Sequence, residues 1–411
     1  METTYEDLIN HNSKIASILD RKVYKYVKAT NERTINSFDE TWLDQSKSNL
    51  KLLKKYGLLA DHCKGMGLNK AAIMIGAGPS LKKNKAMLRE LCLYNSRFPF
   101  DKQPFVFITC NHQYKPCLEY GIIPHFVVVV DASDNLYDQL CKGIPKRGQN
   151  TILISALHVH PKILNGWDRQ GRTIQFYVSK GDANYDLAKE ILGEDLDKKQ
   201  MLQGGNVMNV AWMSSLTALW SKIFIATGYD ISYEIVDSVE ERRKSYYEDG
   251  DYSTNTASKR DEASGIKKWV GFEMYRCPFT GKASVRFKPM GTVGTLFNYK
   301  TWIEVNVAIQ DVEGTSFHYY NCTEGGILGV VPKSYDSIDL ENHNNWQLMD
   351  EVLPNKWHTR LLEDAAMDVL AARDLWLRSK GAIKTDVDAK IWLPKTGIVQ
   401  DADLKPGCLT I

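Results

Sequence analysis

The feature that most constrains the fold is a series of short, continuously apolar segments that alternate with segments of helical pattern. Strands without apolar–polar alternation are typical of a sheet that helices cover on both faces. Because strand and helix alternate along the chain, the sequence predicts an α/β fold with a mostly parallel sheet and flanking helices. The predicted strands are Ala71–Ile75, Phe105–Thr109, Phe126–Val130, Thr151–Ser155, Ile174–Val178 and Ile223–Thr227. The predicted helices between them are Leu81–Tyr94, Tyr114–Tyr120, Tyr185–Leu192 and Val207–Trp220.

The alternating pattern divides the chain into three predicted regions. Residues 1–64 are polar and helix-prone and predict a helical N-terminal extension. Residues 65–330 hold the α/β pattern, and residues 331–411 predict a C-terminal helical segment. The clearest C-terminal element is Trp357–Leu377, whose apolar residues recur at helical spacing. We expect this helix to pack against the catalytic domain or a partner subunit.

A polar insertion at residues 236–288 interrupts the α/β pattern. The plainer interpretation is a solvated loop, because most long polar segments are loops. The alternative is a mobile lid or an acceptor-binding segment that carries Tyr246, Tyr247 and Arg260.

The composition argues against a nucleic-acid-binding, membrane or exported protein. The 411 residues carry a net charge of +2, which gives no overall field for nucleic acid or an anionic membrane. The N-terminus has no signal-peptide pattern, and no apolar run reaches the ~20 residues that span a bilayer. The eight cysteines are scattered without a Cys-x-x-Cys pair, which indicates reduced thiols. We therefore expect a cytoplasmic protein without a membrane or nucleic-acid partner.

The turn Gly76-Ala77-Gly78-Pro79-Ser80 joins the first predicted strand to a helix. Gly76 and Gly78 allow a sharp turn, and Pro79 suits the start of a helix. Ser80 can cap that helix or bind a phosphate oxygen, and the first helical turn favours an anion. The turn lacks the third glycine of a dinucleotide fingerprint and the Gly-Lys-Ser/Thr of a P-loop. A tight turn without a ligand therefore remains the alternative.

Polar residues follow the next two predicted strands. Ligands of open α/β sheets bind at the carboxyl ends of the strands, where Asn111 and Asp131 are expected. The amide of Asn111 suits recognition of a base or ribose. Asp131 suits a ribose hydroxyl or a metal-bound water, and the equally open alternative is that it caps the following loop.

Several short motifs together resemble the Maf (motility-associated factor) flagellin glycosyltransferases and the MptE-like 6-hydroxymethylpterin diphosphokinases of the same superfamily. The first two motifs are also similar to segments of bacterial sialyltransferases. The resemblance spans roughly residues 65–330, and each motif is short. In chain order the motifs are Gly76-Ala77-Gly78-Pro79-Ser80-Leu81, Cys110-Asn111-x-x-Tyr114, Gly121-Ile122-x-Pro124-x-Phe126-Val127-Val128-Val129-Val130-Asp131, Gly204-Gly205-Asn206-Val207, Ile225-Ala226-Thr227-Gly228-Tyr229-Asp230, Gly291-x-x-Gly294-Thr295 and Tyr320-Asn321-Cys322-Thr323-Glu324-Gly325-Gly326.

The resemblance implies a Rossmann-like domain that binds a nucleotide. It assigns nucleotide contacts to the glycine-rich turn, to Asn111 and to the acidic position Asp131. It also places Thr323 and Glu324 near the active-site crevice. The residues expected to bind the nucleotide are Gly76, Gly78, Pro79, Ser80, Asn111, Tyr114, Asp131 and Thr323.

The first functional interpretation is transfer of a nonulosonic, sialic-acid-like sugar from a CMP-activated donor to a hydroxyl of a protein or glycan, with a flagellin-like acceptor implied by the resemblance. Such an enzyme stabilises the departing phosphate and takes a proton from the acceptor. Ser80 and Tyr114 are candidates for the phosphate. The candidate bases are His158, His160, Asp230 and Glu324.

Two other interpretations stay open. A pyrophosphokinase would use Mg²⁺, for which Asp131 and Asp134 are the candidate ligands. A nucleotide-binding protein without catalysis is the third possibility, since a nucleotide crevice does not define a reaction. His158 and His160 also form a possible metal pair, but no third ligand is identifiable, and a hydrogen-bonded structural histidine is equally expected.

Overall fold

The computed structural model describes residues 40–179, 184–202, 204–235, 267–312, 317–333, 340–352 and 356–379. The described strands are β1 (Ala71–Ile75), β2 (Phe105–Cys110), β3 (Phe126–Val129), β4 (Ile152–Ala156), β5 (Ile174–Tyr177), β6 (Ile223–Thr227), β7 (Lys267–Arg276), β8 (Ala283–Thr292), β9 (His318–Asn321), β10 (Gly325–Gly326), β11 (Val330–Pro332), β12 (Trp346–Leu348) and β13 (Trp357–Thr359). The described helices are α1 (40–56), α2 (Leu59–His62), α3 (Leu81–Asn95), α4 (Asn111–Tyr120), α5 (Leu136–Leu140), α6 (Pro161–Arg169), α7 (Tyr185–Leu192), α8 (Val207–Met213), α9 (Gly294–Val312), α10 (Met349–Val352) and α11 (Leu362–Ser379).

The central sheet confirms the predicted α/β architecture. Its eight strands run in the order β13-β9-β6-β1-β2-β3-β4-β5, and every neighbouring pair is parallel. All residues of β1 to β5 are buried, because helices cover the sheet on both faces. In a parallel sheet the carboxyl ends of the strands share one edge, and that edge here carries the Gly76 turn, Asn111, Asp131 and Asp230.

The polar insertion was predicted as a loop or a lid, and its described part is neither. Residues 267–292 form the hairpin β7–β8, which joins β10 in a second, antiparallel sheet. Apolar residues such as Val270 and Phe272 are buried at its base, so the hairpin packs on the domain. Tyr246, Tyr247 and Arg260 lie outside the described residues.

The C-terminal region differs from the prediction in two respects. Residues Trp357–Thr359 are not helical but form β13, which pairs with β9, so the central sheet extends beyond residue 330. The helix begins at Leu362 and buries Ala365, Ala366 and other apolar residues in a core shared with α3. The expected packing of this helix on the α/β domain is thus observed, whereas a partner subunit stays a prediction.

The described part of the N-terminal extension also belongs to the domain. Within α1, the Asn49 side-chain amide donates to the carbonyls of Leu157 (2.8 Å) and Val159 (2.7 Å) beyond β4. Within the described ranges, no helix is both long and apolar enough to cross a membrane.

Candidate functional site

The glycine-rich turn after β1 lies directly against the loop that follows β6. The N–H of Gly76 donates to the carbonyl of Thr227 (2.8 Å), and the N–H of Gly78 donates to the carbonyl of Gly228 (2.7 Å). A Cβ added at Gly76 would lie 2.3 Å from the Gly228 oxygen, and one at Gly78 would lie 2.4 Å from an Asp230 oxygen. Both glycines therefore permit the close contact of two loops of the chain itself.

A substitution at Gly76 tests this role. The Gly228 oxygen is backbone and cannot move away freely, so Gly76→Ala is expected to lower the free energy of unfolding by about 1–3 kcal/mol. The neighbouring Ala77→Ser serves as control, because Ala77 is partly exposed and already has a Cβ. Urea unfolding of both variants measures the effect, and equal stability would contradict the close contact.

Ser80 and Asp230 form the centre of this loop contact. The carboxylate of Asp230 accepts the N–H of Ser80 at 2.8 Å and its hydroxyl at 2.5 Å. Both residues are buried, and burial raises the pKa of Asp230 to about 7 in spite of these hydrogen bonds. Ser80 thus uses its polar groups to bind Asp230, so the hydroxyl predicted to bind phosphate already has a protein partner.

The segment Thr323–Gly326, which follows β9, also packs against the glycine-rich turn and the loop after β6. The Ile327 N–H donates to the Asp230 carbonyl (2.9 Å), and a Cβ added at Gly325 would lie 3.3 Å from the Cβ of Ser80. Thr323 is fully buried and its hydroxyl donates to Asn321 (2.8 Å). The structure thus brings Thr323, Glu324, Ser80 and Asp230 together, but it buries Thr323 away from a ligand.

Glu324 is the partly exposed carboxylate of this cluster. Its Oε1 accepts the side-chain amide of Asn84 (2.8 Å) and the N–H of Leu362 at the start of α11 (2.9 Å). Its φ of 56° is in the left-handed region, which non-glycine residues seldom adopt. Burial raises the pKa of Glu324, and the hydrogen bonds of Leu362 and Asn84 oppose that shift. The strained backbone and the raised pKa both mark Glu324 as a functional candidate.

Lys83 connects the start of α3 to the hairpin. Its Nζ lies 2.8 Å from Glu273 Oε1 and donates to the carbonyl of Glu324 (3.3 Å). Arg286 holds the other oxygen of Glu273 at 2.7 Å, and these two cations lower the pKa of Glu273 to about 2. The ion pairs hold the second sheet beside the glycine-rich turn.

Asn111 and the first turn of α3 offer the polar groups that a ligand can reach. The register of β1 and β2 pairs Ile75 with Thr109, so the turn and Asn111 leave the sheet side by side. Asn111 is partly exposed, and its amide donates to Gln139 (2.9 Å). In the described part of the chain, the backbone N–H groups of Ala77 and Lys82 have no acceptor. The sequence predicted that the first helical turn favours an anion, but the motif alone did not indicate which N–H groups stay available.

Tyr114 is a core residue. It is fully buried, its hydroxyl donates to the Gly148 carbonyl (2.9 Å), and the same hydroxyl accepts a hydrogen bond from Arg172. Burial raises the pKa of this phenol, and Arg172 opposes the shift. Tyr114 was predicted to contact phosphate, but its buried hydroxyl is bonded within the core, so the residue stabilises the fold instead.

The two histidines after β4 have separate structural partners. His158 is buried, stacks on Trp42 at 4.4 Å, and bonds to the Val130 carbonyl (2.9 Å) and Asn184 (3.2 Å). Burial lowers the pKa of His158 to about 4, which favours a neutral ring. His160 caps α6, where its Nδ1 accepts the N–H of Lys162 (3.2 Å). The structural interpretation of both histidines fits better than a metal pair or a base.

Asp131 and Asp134 lie in the exposed loop after β3. Asp131 accepts the N–H of Ser133 (2.9 Å), which is the loop-capping role considered from the sequence. Asp134 lies 4.0 Å from Lys162. Over the described ranges, no three His, Cys, Asp or Glu side chains are grouped to hold a metal ion.

A second polar network lies at the start of α8. Asn206 caps the helix through its Oδ1, which accepts the Asn209 N–H (2.9 Å), and its amide donates to the Tyr229 hydroxyl (2.8 Å). That hydroxyl donates to Asn209 Oδ1 (2.6 Å). Asn206 is partly exposed at the same edge of the sheet as Asn111. The Gly204-Gly205-Asn206 motif is one of those that resemble the family, but the resemblance implied no ligand contact for Asn206.

Comparison with known proteins gives the class to which this chain belongs. The family model described as 6-hydroxymethylpterin diphosphokinase MptE-like matches residues 40–264, which is more than half of the chain. The protein therefore belongs to the MptE-like family, as the motifs indicated. The similarity to sialyltransferases stays a prediction.

Among solved structures, a Maf glycosyltransferase from Magnetospirillum magneticum AMB-1 is similar, with 15% identity and a TM-score of 0.43. The alignment covers 81% of this chain and 41% of the glycosyltransferase, so this chain spans less than half of that protein. No curated protein sequence matches the chain.

Proposed function

We propose that this protein is a nucleotide-dependent transferase that moves a nonulosonic, sialic-acid-like sugar from a CMP-activated donor to a hydroxyl of a protein or glycan. The observation that carries the proposal is the side-by-side position of two helix N-termini at the carboxyl edge of β1 and β2. Helix N-termini favour anions, and the N–H groups of Ala77 and Lys82 are the available donors at the first of them. Asn111 lies beside them and supplies an amide for the base or ribose.

The chemistry needs a stabilised leaving group and a base. A CMP-sugar carries its own leaving group, so the enzyme stabilises charge on the departing phosphate through the donors at α3 and α4. We assign the base to Glu324. Burial raises its pKa, which makes the carboxylate a stronger proton acceptor, and the hydrogen bonds that fix the carboxylate use Oε1 and leave Oε2 for a substrate. Asp230 is better suited to support the turn, because it is buried and bound to Ser80.

Nucleotide titration tests the proposal. We expect calorimetry with CMP, CDP, UDP, GDP and ATP, each with and without Mg²⁺, to show selective, metal-independent binding of CMP. Asn111→Ala should weaken CMP binding about fivefold, since a hydrogen bond in a binding site contributes on the order of 1 kcal/mol. The control Asn165→Ala removes an exposed amide on α6 and should leave CMP binding unchanged. Failure of every nucleotide to bind would refute the proposal.

The description of the family favours one second candidate, a Mg²⁺-dependent pyrophosphokinase. Selective binding of ATP that requires Mg²⁺ would favour this reaction over glycosyl transfer. Asp131 and Asp134 would then be the first residues to replace, because they lie in the exposed loop after β3. Nucleotide binding without turnover of any donor would indicate a non-catalytic binding protein.

A further inference from the structure

Asn84 is a polar residue at a core position of α3. The buried stripe of this helix includes Leu81, Leu88 and Leu91, and Asn84 lies on the same stripe with 1% of its surface exposed. The three leucines pack in the core that α3 shares with α11. Asparagine is also a weaker helix former than leucine. Packing and helix propensity would both favour an apolar residue here, so they do not explain the asparagine.

The side chain of Asn84 has one hydrogen-bond partner among the described residues. Its Nδ2 donates to Oε1 of Glu324 (2.8 Å), a residue that lies beyond β9 in the chain. Its Oδ1 is buried and accepts no hydrogen bond from the part of the chain that the structure describes. A buried polar atom without a partner destabilises the folded state. The contact with Glu324 is therefore the interaction that favours asparagine at this position.

Two donors from separate elements meet at the same carboxylate oxygen. The Leu362 N–H at the start of α11 also donates to Glu324 Oε1, at 2.9 Å. The main chain of Glu324 is fixed as well, because its carbonyl accepts hydrogen bonds from the N–H of Met274 (3.1 Å) and from Nζ of Lys83 (3.3 Å). Residues of α3, α11 and β7 thus hold the backbone and one carboxylate oxygen, and Oε2 stays available. A proton acceptor needs such a fixed direction, since a small misplacement of a reacting group slows catalysis strongly.

We propose that Asn84 is a positioning residue for Glu324: its amide holds Oε1 in place so that Oε2 takes the proton of the acceptor hydroxyl. This inference rests on the proposed function, because it requires Glu324 to act as the base. In the transfer step the acceptor O–H bond breaks as its proton passes to Oε2, and the acceptor oxygen bonds to the anomeric carbon of the sugar. CMP leaves with the electron pair of the broken C–O bond. Asparagine suits the positioning role, since its amide donates a hydrogen bond and cannot exchange a proton with the carboxylate.

Turnover as a function of pH tests the role of Asn84. Asn84→Leu keeps the branched shape of the side chain and removes the donor, and Asn84→Ala removes the donor without adding methyl groups near Glu324. The full-length variants are assayed for CMP release from CMP-N-acetylneuraminic, CMP-pseudaminic and CMP-legionaminic acids, with water as the acceptor. We expect both variants to lower kcat about tenfold or more and to leave KM for the donor within about twofold. Loss of the amide also raises the pKa of Glu324, because fewer hydrogen bonds stabilise the carboxylate, so the acidic limb of the kcat profile should move to higher pH.

Two controls separate positioning from a structural role. Asn95 is the other buried asparagine of α3, at the opposite end of the helix, and its amide donates to Gln103 (2.9 Å) and to the Phe105 carbonyl (3.0 Å). Asn95→Ala should lower the free energy of unfolding and leave the pH profile of kcat unchanged. Asn84→Leu should unfold at the same urea concentration as the wild type or at a higher one, because it buries apolar surface and removes the unpaired amide oxygen. In a Glu324→Gln background, Asn84→Leu should have no further effect on kcat, because no base remains to be positioned.

The outcomes distinguish this inference from the proposed function. If the wild type binds CMP and turns over a donor, an unchanged kcat profile in Asn84→Leu would overturn the positioning role alone. An equal loss of kcat with and without the Glu324 carboxylate would also overturn it, as would a loss of stability without a shift of the pH profile. Absence of CMP binding by calorimetry, or of CMP release from all three donors by the wild type, would overturn the proposed function and this inference with it.

Discussion

The stability of the wild-type protein is expected to fall between about pH 4 and pH 7, and replacing Asp230 with asparagine is expected to remove this pH dependence. The pKa of Asp230 is raised from its ordinary value of 3.8 to about 7 by burial. Between these values the folded protein keeps a proton that the unfolded chain releases, so the free energy of unfolding falls as pH rises. One pKa unit corresponds to about 1.36 kcal/mol, so the loss reaches about 4 kcal/mol by pH 7.

Asparagine resembles the protonated carboxyl group in shape and hydrogen bonding. Its oxygen can accept the Ser80 N–H, and its amide can donate to the Ser80 hydroxyl oxygen. The variant should therefore match the wild type near pH 4 and exceed its stability above pH 7. Urea unfolding at half-unit pH steps measures both curves, with the exposed Asp134→Asn as the control. A variant curve with the wild-type slope would show that another group carries the pH dependence.

The central sheet was predictable because its signal is local. Continuous apolar runs such as Ala71–Ile75 and Ile223–Thr227 are buried on both faces, and the observed strands agree with the prediction within one residue at either end. The parallel pairing follows from the alternation with helices.

The elements that were mispredicted depend on contacts with distant parts of the chain. The strand Trp357–Thr359 is three residues long and is stabilised by pairing with β9, so its apolar residues looked like the start of the following helix. The hairpin β7–β8 carries many charges, which gave it a loop-like composition. Its charges are compatible with strands because opposite charges face each other across the ladder, as Glu273 and Arg286 do. These two residues are 13 positions apart in the sequence, so their contact becomes visible only once the strands are paired.

The sequence located the candidate site, but it did not assign every role within it. The glycine motif correctly marked a place where the backbone must approach closely, but the approaching group is the Gly228–Asp230 loop. Residue type alone cannot distinguish a ligand from another loop as the neighbour of a glycine. Likewise, Tyr114 and His158 have side chains that suit catalysis, and only their burial and hydrogen bonds show that they stabilise the core.

Replacing Lys300 with methionine is expected to lower the free energy of unfolding by about 3–5 kcal/mol. Lys300 and Glu304 lie one turn apart on α9 and form an ion pair of 2.6 Å with only 3% of each side chain exposed. Glu304 also accepts the N–H of Gly329 (2.9 Å). Removing the lysine leaves a buried carboxylate without its cation, which costs more than the pair itself contributes.

The double variant Lys300→Met/Glu304→Gln distinguishes two causes of the stability loss. One is the loss of the lysine side chain, and the other is the unpaired charge that remains on Glu304. Glutamine carries no charge and can still accept the Gly329 N–H, so the double variant should recover most of the stability. Burial already raises the pKa of Glu304, and without Lys300 this carboxyl should take up a proton more readily. The deficit of Lys300→Met should therefore shrink as pH falls, whereas that of the double variant should not. Urea unfolding measures these differences, with Lys288→Met at a partly exposed pair as a control that should cost less than about 1 kcal/mol. A Lys300→Met cost equal to that of the control would show that removing the lysine does not leave a costly unpaired buried charge at Glu304.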